Sequence, residues 1–395
     1  MENCGKKQQI KFVFFFLCFV AISECQNVPK TSQRYTVNLD LPAGQRWGHV
    51  LKEHKGSVIV MHNMLKHYLP EWTAELVEKV AAGLDSFLPE PYASEIRGMA
   101  EAVDINLGDL VIANIVYDIT AFCTSTVAQD SSGHIWHARN LDYGFAESLK
   151  NITIMVDFTR GGKVVYSSTT YAGYVGILTG QKPHAFTVSL DERRQGNIYV
   201  IENILMLLLD YKHGLMSFYI RDVFETTANF TEAVKALATR PSVAPSYVII
   251  GGVLPGEGAV ITRGRLGAED VWFLDPKVGR WFVLETNYDH WKVPPKDDDR
   301  RDPGNKAMQQ MGRTNITVQA LFKVMSTKPV LNNSHGDLLQ SLTCPSVCLS
   351  IQPSVRPSIH LYEMYNMYIC KPCRLRAIHT TKDKQLLDTD SSELS

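Results

Sequence analysis

Cys123 is the residue of this chain whose type and setting could support chemistry. It lies near the start of the segment AFCTSTVAQDSSGHIWHARNLDY (121–143), among threonines and serines, and it is the only cysteine between Cys25 and Cys344. A thiol so isolated has no near neighbour with which to form a disulfide bond. Two interpretations remain open from the residues alone: a buried structural cysteine, or a nucleophile activated by a nearby base and a positive charge.

The residues that follow Cys123 predict a β-hairpin. If DSSG (130–133) is the turn, the numbers of paired residues sum to about 263, so that Cys123 faces Asn140 and Thr124 faces Arg139, within about one residue. Arg139 would then lie beside the thiol, and its charge would lower the thiol pKa from about 8.5.

The partner strand of this hairpin carries further polar residues. His134 and His137 are interpreted as ordinary strand residues, because no Cys–His–Asn protease motif surrounds Cys123. Asp142 and Tyr143 extend past the end of the strand, close to the α-amine that Cys123 would have if the chain were cut before it.

Cleavage between Phe122 and Cys123 would supply the base that the thiol needs. The new α-amine has a reference pKa of about 7.7–8.0 and belongs to the same residue as the thiol, so it can act as its general base, as an N-terminal amine does for threonine. The thiol itself can make the cut by attacking the preceding carbonyl carbon, which gives a thioester that water hydrolyses.

The first 25 residues predict a secretory signal peptide. Lys6 and Lys7 precede the apolar run IKFVFFFLCFVAIS, and small residues follow near Ser23. The run is shorter than the roughly 20 residues that a membrane-spanning helix needs, although a retained anchor remains the alternative. Four N-glycosylation sequons agree with a secretory or endolysosomal route. They begin at Asn151, Asn229, Asn315 and Asn332.

Charge and cysteine usage exclude some classes of function. With 40 basic and 41 acidic residues the net charge is −1, so the chain lacks the positive footprint that binding to nucleic acid needs. The run DDDRR (297–301) is interpreted as a solvated, internally paired loop without a catalytic role. We expect no cofactor and no metal site. The C-x3-C and C-x2-C pairs of the C-terminal tail resemble zinc spacing, but disulfide bonds are favoured in an oxidising compartment.

The hydrophobic pattern predicts an α+β fold. RYTVNLDLPAGQRW (34–47) alternates like a strand that runs into a turn. Apolar residues recur every three or four positions over 58–88, so residues 26–122 are predicted to be rich in helix. After Cys123, short strand-like runs are interrupted by an apolar helix at 201–220. Helices that lead into a strand-rich half are typical of layered α+β proteins.

Three blocks of this sequence resemble the acid ceramidase and N-acylethanolamine acid amidase family of N-terminal-nucleophile hydrolases. They are CTSTVAQDSSGHIWHARNLDY (123–143), YAGYVGILTGQKPHAFTVSLDER (171–193) and ETNYDHWKVPPKDDDRR (285–301). The resemblance runs from about Tyr35 to Asn333, with the blocks in matching order and spacing.

The resemblance implies a four-layer αββα sandwich and self-cleavage before Cys123. An α chain (26–122) would end at Phe122. A β chain (123–333) would hold the catalytic core and begin with Cys123, the nucleophile of both the cleavage and the amidase reaction. The two chains would stay together as a heterodimer.

The resemblance also implies roles for other site residues. Arg139 and Asp142 match the charged pair that positions the thiol and the α-amine. Asn287 matches the side-chain donor to the oxyanion, Glu192 matches a polar active-site residue, and Tyr143 is expected to contact the substrate.

Two details favour one substrate class within the family. The segment after Asp142 is shorter than its counterpart in acid ceramidase. Residues 26–122 contain no cysteine, whereas acid ceramidase joins its two chains by a disulfide bond. Both features favour a lysosomal amidase for N-acylethanolamines such as N-palmitoylethanolamine. Activity on N-acylsphingosine, or an inactive and unprocessed lipid-binding relative, remain the alternatives. A lipid substrate also requires contact with a membrane or micelle, for which the helices near 201–220 and 72–88 are candidates.

Residues 334–395 depart from the family. Family members continue here into a terminal strand of the central sheet, whereas this chain has a tail rich in proline and cysteine. An alternative exon explains the tail at least as well as a new module. Loss of a sheet strand would leave backbone groups unpaired, so we expect impaired folding or maturation.

Overall fold

Two β-sheets lie face to face in this protein, and helices cover both outer faces. The computed structural model describes residues 32–68, 83, 88–119, 122–142, 146–193, 214–331, 346–347 and 368–370. The helices in these ranges are α1 (Gly48–Tyr68), α2 (Tyr92–Val103), α3 (Leu107–Ile119), α4 (Ala146–Ile152), α5 (Met216–Thr226), α6 (Phe230–Thr239), α7 (Arg301–Met311) and α8 (Val318–Met325). The strands are β1 (Arg34–Asn38), β2 (Phe122–Gln129), β3 (Ile135–Asp142), β4 (Thr153–Arg160), β5 (Lys163–Tyr171), β6 (Thr179–Lys182), β7 (Phe186–Glu192), β8 (Ser246–Gly251), β9 (Gly258–Arg263), β10 (Ala268–Phe273), β11 (Phe282–Glu285), β12 (Ser346–Val347) and β13 (Tyr368–Cys370).

The larger sheet has eight strands in the order β1-β4-β5-β6-β7-β8-β9-β10. Strand β1 lies parallel to β4, and every other neighbouring pair is antiparallel. Because β1 and β4 lie on opposite sides of Cys123 in the sequence, their pairing joins the two halves of the chain.

The smaller sheet consists of β11, β2 and β3, with β12 and β13 along the outer edge of β3. Residues Ser346–Val347 pair with β3 opposite Leu141 and Asn140, and residues Tyr368–Cys370 pair opposite Arg139 to His137. The expectation that the divergent tail leaves this edge unpaired is therefore wrong for these positions, because the tail itself supplies two short strands.

In the part of the chain that the structure describes, three apolar clusters fill the spaces between four layers. The largest lies between the helices α1, α2, α3, α5 and α6 and the outer face of the larger sheet. A second lies between the two sheets and includes Val127, Tyr247 and Val260. The third lies between the smaller sheet and the helices α7 and α8, and it includes Ala138 and Leu321. The order of layers is helix, sheet, sheet, helix, which confirms the predicted αββα sandwich of an α+β protein.

The hairpin at Cys123 forms as predicted, but its register differs by one residue. Cys123 pairs with Leu141, and Arg139 pairs with Ser125, so paired numbers sum to 264 instead of 263. The loop has three residues between the paired Asp130 and His134, and Gly133 takes the positive φ of 88° that closes such a loop. Because residues two apart on a strand share a face, the shift places Arg139 on the same face as Cys123.

The helices predicted from the apolar pattern are only partly described by the structure. The first long helix begins at Gly48, ten residues before the start that the apolar pattern predicted. The apolar segment 201–220 lies largely outside the described residues, and so does most of 72–88. Among the helices that the structure describes, none is both long and apolar enough to cross a membrane.

Candidate active site

Cys123 is buried between the two sheets at the start of β2, and the guanidinium of Arg139 contacts its sulfur. Arg139 Nη2 donates to Cys123 Sγ at 2.8 Å. The same guanidinium is anchored by two further acceptors across the gap between the sheets, Thr179 Oγ1 at 2.7 Å and the carbonyl oxygen of Leu178 at 3.1 Å. The structure thus brings the predicted nucleophile and the predicted cation together.

Burial dominates the electrostatics of this thiol in the uncut chain. It raises the pKa of Cys123 well above its usual value, and the charge of Arg139 lowers the pKa only in part; the carboxyls of Asp191 and Asp142 raise it further. The thiol is therefore protonated at rest. It needs a base, or a loss of negative charge around it, to react.

Asn287 follows β11 and holds the backbone of Cys123. Its Oδ1 accepts from the backbone N–H of Cys123 at 2.9 Å and from Arg300 Nη2 at 2.7 Å, while its Nδ2 donates to the carbonyl oxygen of Glu192 at 2.8 Å. Since a guanidinium has only donors and a carbonyl oxygen only accepts, these partners assign the two amide atoms unambiguously. In the uncut chain the Asn287 oxygen, not its N–H, faces Cys123.

Arg300 is the site residue that sequence reasoning missed. Its side chain is 1% exposed, and its Nη1 donates to the carbonyl oxygen of Cys123 at 2.6 Å. Asp298 pairs with its Nε at 2.7 Å. Arg301 is buried as well, and it donates to the carbonyl oxygen of Asp289 at 3.0 Å. The interpretation of DDDRR as a solvated loop is therefore wrong for its two arginines, which are buried, while the internal pairing that it also predicted is confirmed by Arg300 and Asp298. The block ETNYDHW, only a few residues earlier, was the available signal.

Asp142 lies at the end of β3, opposite Phe122 in the sheet. Its carboxyl is 3.9 Å from Arg300 Nη1, and its oxygens have no hydrogen-bond partner among the described residues. Burial raises the pKa of Asp142 to about 7, against the lowering effect of Arg300 and Arg139. A buried carboxyl in this position is suited to receive a new positive charge close by.

The structure describes some of the remaining predicted residues and not others. Glu192 is buried at the end of β7, with its backbone carbonyl bonded to Asn287. Tyr143 and the sequon residue Asn332 lie outside the described residues. The sequon residues Asn151, Asn229 and Asn315 are exposed, as attachment of a glycan requires. Glycosylation itself stays a prediction.

The two histidines of the hairpin have different surroundings. His134 belongs to the turn, where its Nδ1 lies 2.6 Å from Ser132 Oγ. His137 is buried between the sheets, and burial lowers its pKa to about 3. Neither ring contacts Cys123 in the described bonds. The interpretation as a strand residue is confirmed for His137, which lies in β3, and is wrong for His134, which precedes that strand.

Comparison with known protein families yields two separate matches. Residues 30–88 match the family described as the beta subunit of N-acylethanolamine-hydrolyzing acid amidase. Residues 123–319 match the linear amide C–N hydrolases of the choloylglycine hydrolase family. The second match begins at Cys123.

Individual relatives match over most of the chain. The chain is 42% identical to N-acylethanolamine-hydrolyzing acid amidase of Mus musculus over 308 residues, which are 78% of this chain and 84% of that protein. It is 38% identical to acid ceramidase of Pan troglodytes over 317 residues, which are 75% of this chain and 80% of that protein. A solved structure of the Caenorhabditis elegans ortholog of N-acylethanolamine-hydrolyzing acid amidase is 46% identical, covers 53% of this chain and 88% of its own, and gives a TM-score of 0.49.

Proposed function

Because the chain belongs to the family of N-acylethanolamine-hydrolyzing acid amidases and acid ceramidases, within the linear amide C–N hydrolases, we propose that it cleaves itself before Cys123 and then hydrolyses N-acylethanolamines. The chain is an amidase, and the products would be a fatty acid and ethanolamine. The observation that carries the proposal is the pair of contacts at Cys123: Arg139 on its sulfur and Asn287 on its backbone nitrogen.

Self-cleavage is a shift of an acyl group from nitrogen to sulfur. The Cys123 sulfur attacks the carbonyl carbon of Phe122, the carbon–nitrogen bond between the two residues breaks, and the nitrogen of Cys123 takes up a proton as it leaves. Water then hydrolyses the thioester and regenerates the thiol. Arg139 stabilises the attacking sulfur as it loses its proton, while Asn287 and Arg300 hold the nitrogen and the carbonyl oxygen of Cys123 in place.

The amidase reaction repeats this chemistry on the substrate. The sulfur attacks the amide carbon of the acylethanolamine, the carbon–nitrogen bond breaks, and ethanolamine leaves with a proton from the α-ammonium of Cys123. Water hydrolyses the resulting thioester. The carboxyl of Asp142 would hydrogen-bond the ammonium and tune its pKa, a role that its pairing with Phe122 in the sheet supports. Asn287 would supply the side-chain donor to the oxyanion once its N–H, bonded to the Glu192 carbonyl in the uncut chain, turns to the substrate. A donor held in that position contributes about 2.7–4 kcal/mol.

The location and the assembly form part of the proposal. The signal peptide predicted at residues 1–25 and the exposed sequons support a secretory route to the lysosome. Residues 30–88 lie in the α chain as defined above, and they match a family whose description names a subunit. This match supports a product of two chains. We propose that these chains remain associated as a heterodimer that contacts membranes or micelles peripherally to reach its lipid substrate.

The first test is the N-terminal sequence and intact mass of the secreted protein after incubation at about pH 4.5. We expect a chain that begins at Cys123, and the same treatment of a Cys123→Ala variant should leave the chain whole. A wild-type chain that stays uncut would contradict the proposal. Cleavage at another bond, or cleavage that persists in the variant, would do so as well.

The second test separates the substrate classes. The cleaved protein is assayed with N-palmitoylethanolamine and with N-acylsphingosine at equal concentration in the same detergent micelles. Faster release of fatty acid from the ethanolamide supports the proposal. Preference for the sphingosine amide would assign the acid-ceramidase activity instead, and a cleaved protein that hydrolyses neither would identify a lipid-binding relative.

A further inference from the structure

Hydrogen-bonding side chains form a continuous row between the two sheets and lead to the active site. His137 contacts a hydroxyl at each ring nitrogen: Nδ1 lies 2.8 Å from Thr187 Oγ1, and Nε2 lies 2.9 Å from Ser189 Oγ. Ser189 Oγ lies 3.0 Å from Ser125 Oγ, which lies 2.8 Å from Asp191 Oδ1. All five side chains are buried. The reaction described above uses none of them.

The row has one complete arrangement of hydrogens when Asp191 is ionised. Each hydroxyl has one hydrogen to donate, and a neutral imidazole has one donor and one acceptor nitrogen. Ser125 then donates to the carboxylate, Ser189 donates to Ser125, and His137 donates through Nε2–H to Ser189. Thr187 completes the row by donating to Nδ1.

A second complete arrangement exists when Asp191 holds a proton, and every donation is reversed. The carboxylic acid donates to Ser125, Ser125 donates to Ser189, and Ser189 donates to Nε2 of His137. The ring then carries its hydrogen on Nδ1 and donates to Thr187, whose hydroxyl turns to the backbone carbonyl of its sheet neighbour at 3.2 Å. The tautomer of a neutral imidazole thus reports the protonation of a carboxyl three hydrogen bonds away.

We propose that Asp191 is a positioning residue for the reaction of Cys123, and that the row of hydroxyls and imidazole reverses direction when Asp191 takes up a proton from solvent. Asp191 Oδ1 lies 3.5 Å from Arg139 Nη2, and the same Nη2 lies 2.8 Å from Cys123 Sγ. Carboxylate and sulfur therefore share one guanidinium nitrogen. Neutralising the carboxylate leaves the charge of Arg139 to the sulfur, which favours the thiolate.

The burial of Asp191 places the pKa of its carboxyl between about 4 and about 7. Burial raises its pKa to about 6, and Arg139 opposes that increase. His137 stays neutral throughout this range, because burial lowers its pKa to about 3. Titratable and charged groups face Asp191 from several elements. They are Cys123 in β2, Arg139 and Asp142 in β3, Tyr247 in β8, Glu285 in β11, and Arg300 in the segment before α7.

The direct test is nitrogen NMR of the full-length Cys123→Ala precursor with isotope-labelled histidine, from about pH 4.5 to about pH 8. The His137 signals are identified by their loss in His137→Gln. We expect hydrogen on Nε2 at the alkaline end and on Nδ1 at the acid end. Asp191→Asn should abolish the change. Ser189→Ala removes a single hydroxyl of the row and should likewise make the tautomer of His137 independent of pH.

Three results would overturn the proposal: one tautomer across the whole range, a ring that becomes charged within it, or a tautomer change that persists in Asp191→Asn. Because this measurement needs no activity, it distinguishes a row that does not reverse from a proposed function that is wrong. The effect of Asp191 on the reaction of Cys123 rests on the proposed function and has its own test. In the cleavable chain, Asp191→Asn should lower the ratio of self-cleavage rates between about pH 4.5 and about pH 7.5 at least threefold. An unchanged ratio would refute it.

Discussion

Glu95 in α2 and Arg221 in α5 form a buried ion pair that connects the two halves of the chain. The two guanidinium nitrogens Nη1 and Nη2 donate to the two carboxylate oxygens at 2.6 and 2.7 Å, and both side chains are fully buried. Cleavage before Cys123 would place these residues on separate chains. Since the described part of residues 26–122 contains no cysteine, such contacts must hold the pair of chains together.

We predict that Glu95→Ala separates the chains or prevents folding. Removing one partner of a buried ion pair leaves an uncompensated buried charge, at a cost of about 3–5 kcal/mol. Size-exclusion chromatography of the cleaved protein should show loss of the smaller chain. The matched control is Arg34→Ala, which breaks the exposed pair of Arg34 with Asp157 across the same two halves and should cost at most about 1 kcal/mol. Equal behaviour of both variants would contradict the prediction.

The ion pair should also persist at acid pH. Burial acts to raise the pKa of Glu95, but the charge of Arg221, together with the hydrogen bonds that Glu95 accepts, holds that pKa below its usual value. A carboxyl with a lowered pKa contributes stability that is lost only as the pH falls through its folded-state pKa. We therefore expect the two chains to stay together at about pH 4.5 and to separate only in stronger acid, which chromatography across a pH series can check.

Arg300 gives a third prediction, on the cleavage rate. Arg300→Met removes the donors to the Cys123 carbonyl and to the Asn287 amide, so the rate of self-cleavage should fall roughly a hundredfold or more. The rate is measured by gel densitometry after a shift to about pH 4.5. Arg301→Lys is the control: that residue is also buried, but its bonds go to the carbonyls of Asp289 and Lys292, and its effect should be within about tenfold. A larger loss for Arg301→Lys than for Arg300→Met would refute the assignment.

Local chemistry explains which of these features could be predicted from the sequence. The hairpin and its turn at Asp130–Gly133 depend on residues close together in the chain, so both were predictable. The register was not, because a three-residue loop and a two-residue loop share the same turn residues. Arg300 was missed since a charged run is solvated in most sequences, and its burial here results from contacts with Cys123 and Asn287, which are distant in sequence. Asp191 is likewise defined by its partners across the two sheets.

The tail provides a fourth prediction. Its residues 346–347 and 368–370 pair with the edge of β3, so a chain that ends at Asn333 would expose that edge. The exposed edge of a sheet presents unpaired backbone N–H and C=O groups, which promote association between molecules. We expect lower secreted yield, more aggregate in light scattering, and a melting temperature at least about 2 °C lower. A chain that ends at residue 370 keeps both short strands and should match the full-length protein; equal loss in the two truncations would assign the effect to other tail residues.

The fifth prediction concerns how the stability of the uncut precursor depends on pH. Burial raises the pKa of Asp142 to about 7, that of Asp191 to about 6, and that of Glu285 well above its usual value. The folded chain therefore holds protons that the unfolded chain has already lost above about pH 4. The free energy of unfolding must then fall as the pH rises through this window, by about 1.4 kcal/mol per pH unit for each titrating group.

His137 acts in the opposite direction, because its lowered pKa costs stability as the pH falls below about 6.5. One imidazole offsets one of three carboxyls, so the net slope stays negative from about pH 5 to about pH 7. Thermal unfolding of the Cys123→Ala precursor should show a melting temperature that decreases over this range. Glu285→Gln removes one of the protons by which the folded chain exceeds the unfolded chain, so the melting temperature should decrease less steeply with pH. A melting temperature that rises towards neutral pH would mean that these carboxyls are ionised in the folded chain, and that acid does not stabilise the fold.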